Sequence, residues 1–261
     1  MPIPKYLYQV WFQGCENLKK EKFKLNVKQW QNLNPEWKYK CLDENDLKEA
    51  CKTYSDKCLA AFDKTTVMHA KIDLGRLVIV FLTGGMYVDM DMYALRPLSY
   101  SSEFNDVVNN KEEVLGVSVL SKINIIERLI TQGTKNVMYN NAIVVCNKGN
   151  KIVKTMIEDC IERILVESED LDSFTYISKT TGPWIFSNNV HALSEYNYVH
   201  VFSEDTFEPV KISDNTIAIH DFEMSWITGE TKRVCKVYNK HKNTVYVLVI
   251  LITLFVLRKW L

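Results

Sequence analysis

The 261-residue chain is marked first by what it lacks. Its 32 basic and 32 acidic side chains leave no net charge, so nothing indicates the strongly basic surface of a nucleic-acid partner. It has no CxxC pair and no zinc-type spacing, since its seven cysteines are scattered at Cys15, Cys41, Cys51, Cys58, Cys146, Cys160 and Cys235. An odd, unpatterned set reads as buried thiols in a reducing compartment, not as a disulfide framework. There is no internal repeat, phosphate-binding P-loop, GxSxG elbow or HExxH helix. Residues 1–12 lack the apolar run and small-residue cleavage site of a signal peptide. The remaining composition, 47% hydrophobic and 25% charged, is that of a globular chain able to bury a substantial core.

What is there centres on residues 68–97. Met68, Ile72, Gly75, Ile79 and Leu82 recur every three to four positions, the stripe of a helix with one buried side. Asp73 and Arg76, three apart on another face, can present a carboxylate and a guanidinium together. Gly84 and Gly85 break the helix, because glycine takes positive φ without steric cost. The run Met86, Tyr87, Val88 then predicts a short strand ending on Asp89 and Asp91. In an extended segment residues two apart point the same way, so both carboxylates would reach one hard cation. Mg²⁺ or Mn²⁺ held by one or two carboxylates, its shell completed by substrate phosphates, suits that pattern. A solvated turn after a strand is the plain alternative.

Around this stretch, helical and extended patterns alternate. Residues 6–12 read as a first strand, 18–33 as a helix stopped by Asn34 and Pro35, and 34–39 as a turn and a second strand. Asp43 is placed to cap the next helix. Residues 99–111 read as a polar surface loop, 114–120 and 139–146 as strands, and 152–164 as a packed helix. Such alternation predicts an α/β nucleotide-binding domain with ligands at the strand C-termini. A charge-free run from 244 to 257 follows Lys232, Arg233, Lys236, Lys240 and Lys242. With its flanks it makes about 27 Å of helix, near the thickness of an endoplasmic-reticulum bilayer. Val, Ile and Thr also suit a buried terminal strand, but the run has no polar alternation. A single-pass C-terminal anchor is therefore expected, with the basic flank keeping the preceding domain cytosolic.

The ordered set Asp73-Leu74-Gly75-Arg76, Gly84 to Asp91, and Arg96-Pro97-Leu98 resembles the core of the DXD-containing glycosyltransferases of family 32. That family includes the yeast-type α-mannosyltransferases and the inositol phosphorylceramide mannosyltransferases; the clostridial glucosylating toxins are more distant relatives. Further pieces match along the chain: Ile3-Pro4-Lys5 with Gln9 and Trp11, Asn34-Pro35 with Trp37, Thr181-Gly182-Pro183, Phe207 with Pro209, and His220 with Ser225-Trp226. Two positions depart from the pattern, Tyr8 and Asp221, where the family commonly has histidine. The resemblance implies a GT-A-type α/β domain with a mixed central sheet over residues 1–228. A basic juxtamembrane linker (229–243) and the C-terminal transmembrane anchor (244–261) follow.

The same resemblance implies a retaining, Mn²⁺- or Mg²⁺-dependent transferase. It would move a hexose, mannose favoured, from a GDP- or UDP-sugar to a glycan or a membrane glycolipid such as a sphingolipid, at an endomembrane such as the ER or Golgi. Asp73, Arg76, Asp89 and Asp91 become the catalytic set, with Asp89, Asp91 and His220 as metal ligands. The donor site would draw on Trp11, Asp73, Arg76, Tyr87, Asn141, Ser225 and Trp226, with Trp11 stacking on the base and Tyr87 covering a donor face. On the residues alone, Trp11 reads equally as a core side chain, Asn141 as a turn residue and His220 as a structural histidine. Two other classes stay open: a membrane-anchored metal-dependent phosphohydrolase, and a non-catalytic membrane scaffold.

Overall fold

A computed structural model describes residues 2–122, 137–168, 171–193, 198–209, 211–221 and 223. The chain divides into two units, Met1–Phe222 and Glu223–Leu261. The expected anchor at 244–261, the linker before it, and Ser225 and Trp226 lie outside the described residues. Among those described, no helix is long and apolar enough to cross a membrane.

The first unit is built on a six-stranded mixed sheet in the order β2-β1-β3-β6-β5-β7. Its strands are β1 (Tyr6–Val10), β2 (Lys38–Leu42), β3 (Gly85–Val88), β5 (Leu115–Lys122), β6 (Val137–Cys146) and β7 (Val199–Val201). β1 is parallel to both β2 and β3, whereas β6 runs antiparallel to β3 and β5. A separate two-stranded ladder pairs β4 (Met92–Ala94) with β8 (Ala218–His220), antiparallel. The C-terminal ends of β1 and β3 and the middle of β6 thus meet at one edge, where open α/β sheets bind ligands.

Alternation along the strands feeds two cores, one on each face of the sheet. Tyr8, Tyr87 and Val144 lie in one, with Leu74, Leu77 and Val78 of α4 (Met68–Thr83) and Ile157 and Ile161 of α6 (Lys151–Val166). Leu7, Met86, Val88 and Val145 lie in the other, with Trp30 of α1 (Glu21–Leu33), Phe104 and Phe207. Between α1 and α4 come α2 (Glu44–Tyr54) and α3 (Asp56–Lys64). Asp43 caps α2 as expected, in a reciprocal box with Asp46. Tyr8, at the position where the family commonly has histidine, is a core residue whose hydroxyl donates to Thr83 Oγ1 at 3.0 Å.

Two expectations are corrected. Residues 99–111 are not all loop: α5 (Ser102–Asn109) forms there, capped by Ser101 Oγ accepting from the Phe104 amide at 3.1 Å. Phe104, Val107 and Val108 give it a narrow buried face that the surrounding polar residues mask in the sequence. Nor are all the cysteines thiols. Gly14 (φ 86) turns the chain after β1 back beside β2, and Cys15 and Cys41 are disulfide-bonded. Cys51, Cys58, Cys146 and Cys160 are buried and free.

The Gly84–Gly85 break after α4 is a steric requirement. Both residues have positive φ, 70° and 111°. A Cβ on Gly85 would lie 2.6 Å from the Tyr6 carbonyl oxygen, inside the β1–β3 contact. Gly85→Ala should therefore destabilise the fold by more than about 1 kcal/mol, read as a lowered urea midpoint with an unchanged m-value.

Candidate active site

α4 lies on the sheet so that Asp73 and Arg76, each 6% exposed, point toward the end of β3. The Arg76 guanidinium bridges two carboxylates: Nη2 is 3.0 Å from Asp73 Oδ1 and Nη1 is 3.0 Å from Asp89 Oδ1. Nη1 also donates to the Asn141 carbonyl at 2.7 Å. The group lies over the Tyr87 ring, 4.5 Å from its centroid. Tyr87 donates its own proton to Asp89 Oδ1 at 2.6 Å. Asp73 further accepts from Asn141 Nδ2 at 3.0 Å and from Thr181 Oγ1 at 3.1 Å. Arg76 Nε is buried without a partner among the described residues.

Burial pulls these groups toward neutrality, and their neighbours oppose it. Desolvation lifts the Asp73 carboxyl to about 6, although Arg76, Thr181 and Asn141 all act to lower it. Burial also works against the Arg76 charge, but Asp89, Tyr87 and Asp73 more than offset it and hold its pKa above the usual value. The Tyr87 phenol is pushed well up by burial, so it remains a donor to Asp89 at neutral pH.

Asp89, Met90 and Asp91 do not continue the strand as expected. They form a tight turn into β4 in which the Met92 amide donates to the Asp89 carbonyl at 3.0 Å. The turn is fastened by donors from three elements. Gln9 Nε2 reaches the Asp89 carbonyl at 3.2 Å and Asn26 Nδ2 the Met90 carbonyl at 2.9 Å. Asn26 Nδ2 and Trp30 Nε1 both bond the Met92 carbonyl at 2.8 Å. The Asp221 amide closes on the Asp91 carbonyl at 3.0 Å.

The β4–β8 ladder then sets His220 opposite Met92. One ligand atom each from Asp89, Asp91 and His220 lies within 4.8 Å of the others. Two carboxylate oxygens and an imidazole nitrogen form a donor set that suits Mn²⁺ or Mg²⁺. Asp89 Oδ1 is occupied by Arg76 and Tyr87, which leaves its second oxygen for such an ion.

The structure brings together Asp73, Arg76, Tyr87, Asp89, Asp91, Asn141 and His220 of the expected set. It also shows what three of them touch. Arg76, expected to serve a phosphate, or a sugar hydroxyl through a carboxylate partner, is turned inward onto the carboxylates of Asp73 and Asp89. Tyr87, expected to cover a donor face, is 1% exposed beneath Arg76. Asn141, expected at the donor sugar, is committed to Asp73 and Arg76. Trp11 stands at the rim, partly buried, its ring 5.4 Å from Phe23, in a cluster that includes Met90. Asp221 is exposed and paired with Lys22 at 2.9 Å.

Sequence reasoning missed Gln9, Asn26, Glu208 and the contact of Thr181 with Asp73. A buried polar residue on an otherwise apolar strand or helix face was the available signal for Gln9 and Asn26.

Removing the cation that Asp73 and Asp89 share would leave buried charge unpaired. Arg76→Met should cost about 3–5 kcal/mol, measured by urea unfolding. Because the folded protein binds the Asp73 proton more tightly than the unfolded chain does, this group's stabilising term is full below pH 3.8. It is lost as pH rises through about 6. Asp73→Asn should flatten that part of the stability–pH curve.

Residues 20–115 match the family described as glycosyltransferase sugar-binding region containing DXD motif. An uncharacterized glycosyltransferase of Acanthamoeba polyphaga mimivirus is 29% identical over 97 residues, covering 37% of this chain and 38% of that one. The initiation-specific α-1,6-mannosyltransferase of Candida albicans is 25% identical over 122 residues, covering 45% of this chain and 32% of that one. The chain thus spans only about a third of the length of these curated relatives. The catalytic domain of alpha-toxin from Clostridium novyi has the same fold, with a TM-score of 0.52 at 10% identity, covering 92% of this chain and 82% of that one. Residues 20–115 are therefore similar to the sugar-binding region of DXD-containing glycosyltransferases, and the chain has a GT-A-like α/β fold with a mixed central sheet.

Proposed function

We propose that this chain is a metal-dependent glycosyltransferase that takes a hexose from a nucleoside-diphosphate sugar and transfers it with retention of anomeric configuration. The observation that carries the reading is the convergence of Asp89, Asp91 and His220 beside the buried Arg76–Asp73 pair. All lie at the sheet edge where a nucleotide is expected. A divalent ion bound there would supply positive charge to the diphosphate as it leaves, without moving a proton.

The chain's own residues do the positioning. Arg76 and Tyr87 fix one oxygen of Asp89, and Gln9, Asn26 and Trp30 hold the turn's backbone so that Asp89 and Asp91 stay aimed. Asp73 keeps one acceptor site, on Oδ2, for a sugar or ribose hydroxyl near the reacting centre. Trp11, at the rim beside Met90, is the flat surface on which a base stacks. Ser225 and Trp226 are assigned to the donor site on the resemblance of the His220 to Trp226 stretch.

Mannose is the favoured sugar, supported by the similarity to the Candida mannosyltransferase. The acceptor is a glycan or a membrane glycolipid, supported by the charge-free run at residues 244–257 and the basic segment before it. These would anchor the protein in an endomembrane with its catalytic domain cytosolic.

A panel of GDP- and UDP-sugars with Mn²⁺, scored for nucleoside diphosphate and for transferred sugar, tests the reading. Transfer from one donor, abolished by chelation, is expected. Release of a free sugar phosphate instead would make the protein a phosphohydrolase. Asp91→Ala should cut turnover by more than about 100-fold, a loss typical of removing one electrostatic stabiliser. Its circular dichroism should be unchanged.

A further inference from the structure

His220 is held from both sides. Its Nε2 is 3.3 Å from Asp91 Oδ1, facing the cation-binding cluster, and its Nδ1 is 3.0 Å from Glu208 Oε1. Glu208 follows directly after the short helix Glu204–Phe207 and is a buried carboxylate, with only 3% of its side chain exposed. A carboxylate placed so deep is stabilised only by donors, and among the described residues there are two. One is the His220 Nδ1–H. The other is Asn140 Nδ2, which donates to the same Glu208 oxygen. Asn140 is itself fixed, since its Oδ1 accepts from the Ala142 amide at 2.9 Å.

We propose that Glu208 is a positioning residue for the cation site: by accepting from His220 Nδ1–H it aims Nε2, which here faces Asp91 Oδ1, at the place where a cation held by Asp89 and Asp91 would take the Nε2 lone pair instead of that contact. This inference rests on the metal-dependent reading of the cluster. An imidazole ligand whose far nitrogen donates to a carboxylate has its ring angle and tautomer set, and its ligating nitrogen becomes more basic. The bond to Asn140 keeps Glu208 from swinging into the site to take the ion itself. Glu208 is therefore not a ligand, and it acts only through His220.

A strand irregularity makes the arrangement possible. Along β5, Val117 pairs with Val144 of β6, but Ser118 pairs with Asn140, so three β6 residues are bulged out of register. Bulges re-aim side chains beside functional sites. This one sends Asn141 to Asp73 and Arg76 on α4 and Asn140 to Glu208, beside β8. Both halves of the site hang from adjacent residues of one strand.

The test is Mn²⁺ binding by the full chain without nucleotide or sugar, followed by electron paramagnetic resonance. Affinity comes from the free-ion signal, and nitrogen coordination from the electron spin-echo modulation of a directly bound ¹⁴N. The wild-type protein should bind Mn²⁺ with a ¹⁴N coupling that His220→Ala removes. Glu208→Ala should weaken binding about 10- to 100-fold and reduce that coupling. Glu208→Gln, whose amide oxygen still accepts from Nδ1–H, should retain the coupling and lose less affinity; it also serves if the alanine variant does not fold. Wild-type affinity and coupling in both folded Glu208 variants would overturn the inference and leave the metal-dependent reading standing. A wild-type protein that binds no Mn²⁺ would overturn both.

Discussion

The buried guanidinium of Arg76 is the constraint on which the rest of the site depends. An arginine at this depth keeps its charge only if anions meet it, and two do, Asp73 on its own helix and Asp89 at the end of β3. The ion triad ties the helix before the glycine break to the turn after it. Ion pairs of this kind are weak sources of stability because desolvation cancels most of their attraction. What they supply here is placement. One oxygen of Asp89 is locked by Arg76 and Tyr87, and the carboxylate stays within reach of Asp91 and His220.

The turn bearing Asp89 and Asp91 is preorganised in the same manner. Its carbonyls receive side-chain donors from β1 and α1, and its far end is closed by the backbone beside β8. Two acidic side chains this close repel one another until a cation or a proton intervenes. A scaffold that holds them together by their backbones rather than by their own attraction is suited to hold an ion and a diphosphate without rearranging. The fold is thereby connected to its chemistry through named bonds: the sheet edge sets Asp89, the small β4–β8 ladder sets His220, and α4 sets the cation between the carboxylates.

Much of this was legible in the sequence because it is local. The helix of residues 68–83, the two glycines, the short strand and the pair of aspartates follow one another, so periodicity and spacing suffice to order them. His220 was legible only through its company with Ser225 and Trp226. Most of the remainder depends on partners 62 to 108 positions away, which spacing does not encode. The inward turn of Arg76 follows from the Asn141 carbonyl, and the Asn141 direction follows from a bulge in β6 that the strand's own sequence does not announce. Glu208 lies between a phenylalanine and a proline with nothing local to mark it. The Cys15–Cys41 bond needs β1 and β2 side by side, and α5 needs a buried face supplied by the far side of the sheet.

The central claim is that Asp89 and Asp91 hold a cation which in turn holds the diphosphate of the donor. Calorimetric titration of the wild-type chain with GDP and with UDP, each with and without Mn²⁺, tests it most directly. One nucleotide should bind at least about tenfold tighter with the metal, a difference of about 1.4 kcal/mol. Equal affinities with and without Mn²⁺, or no binding of either nucleotide, would contradict it.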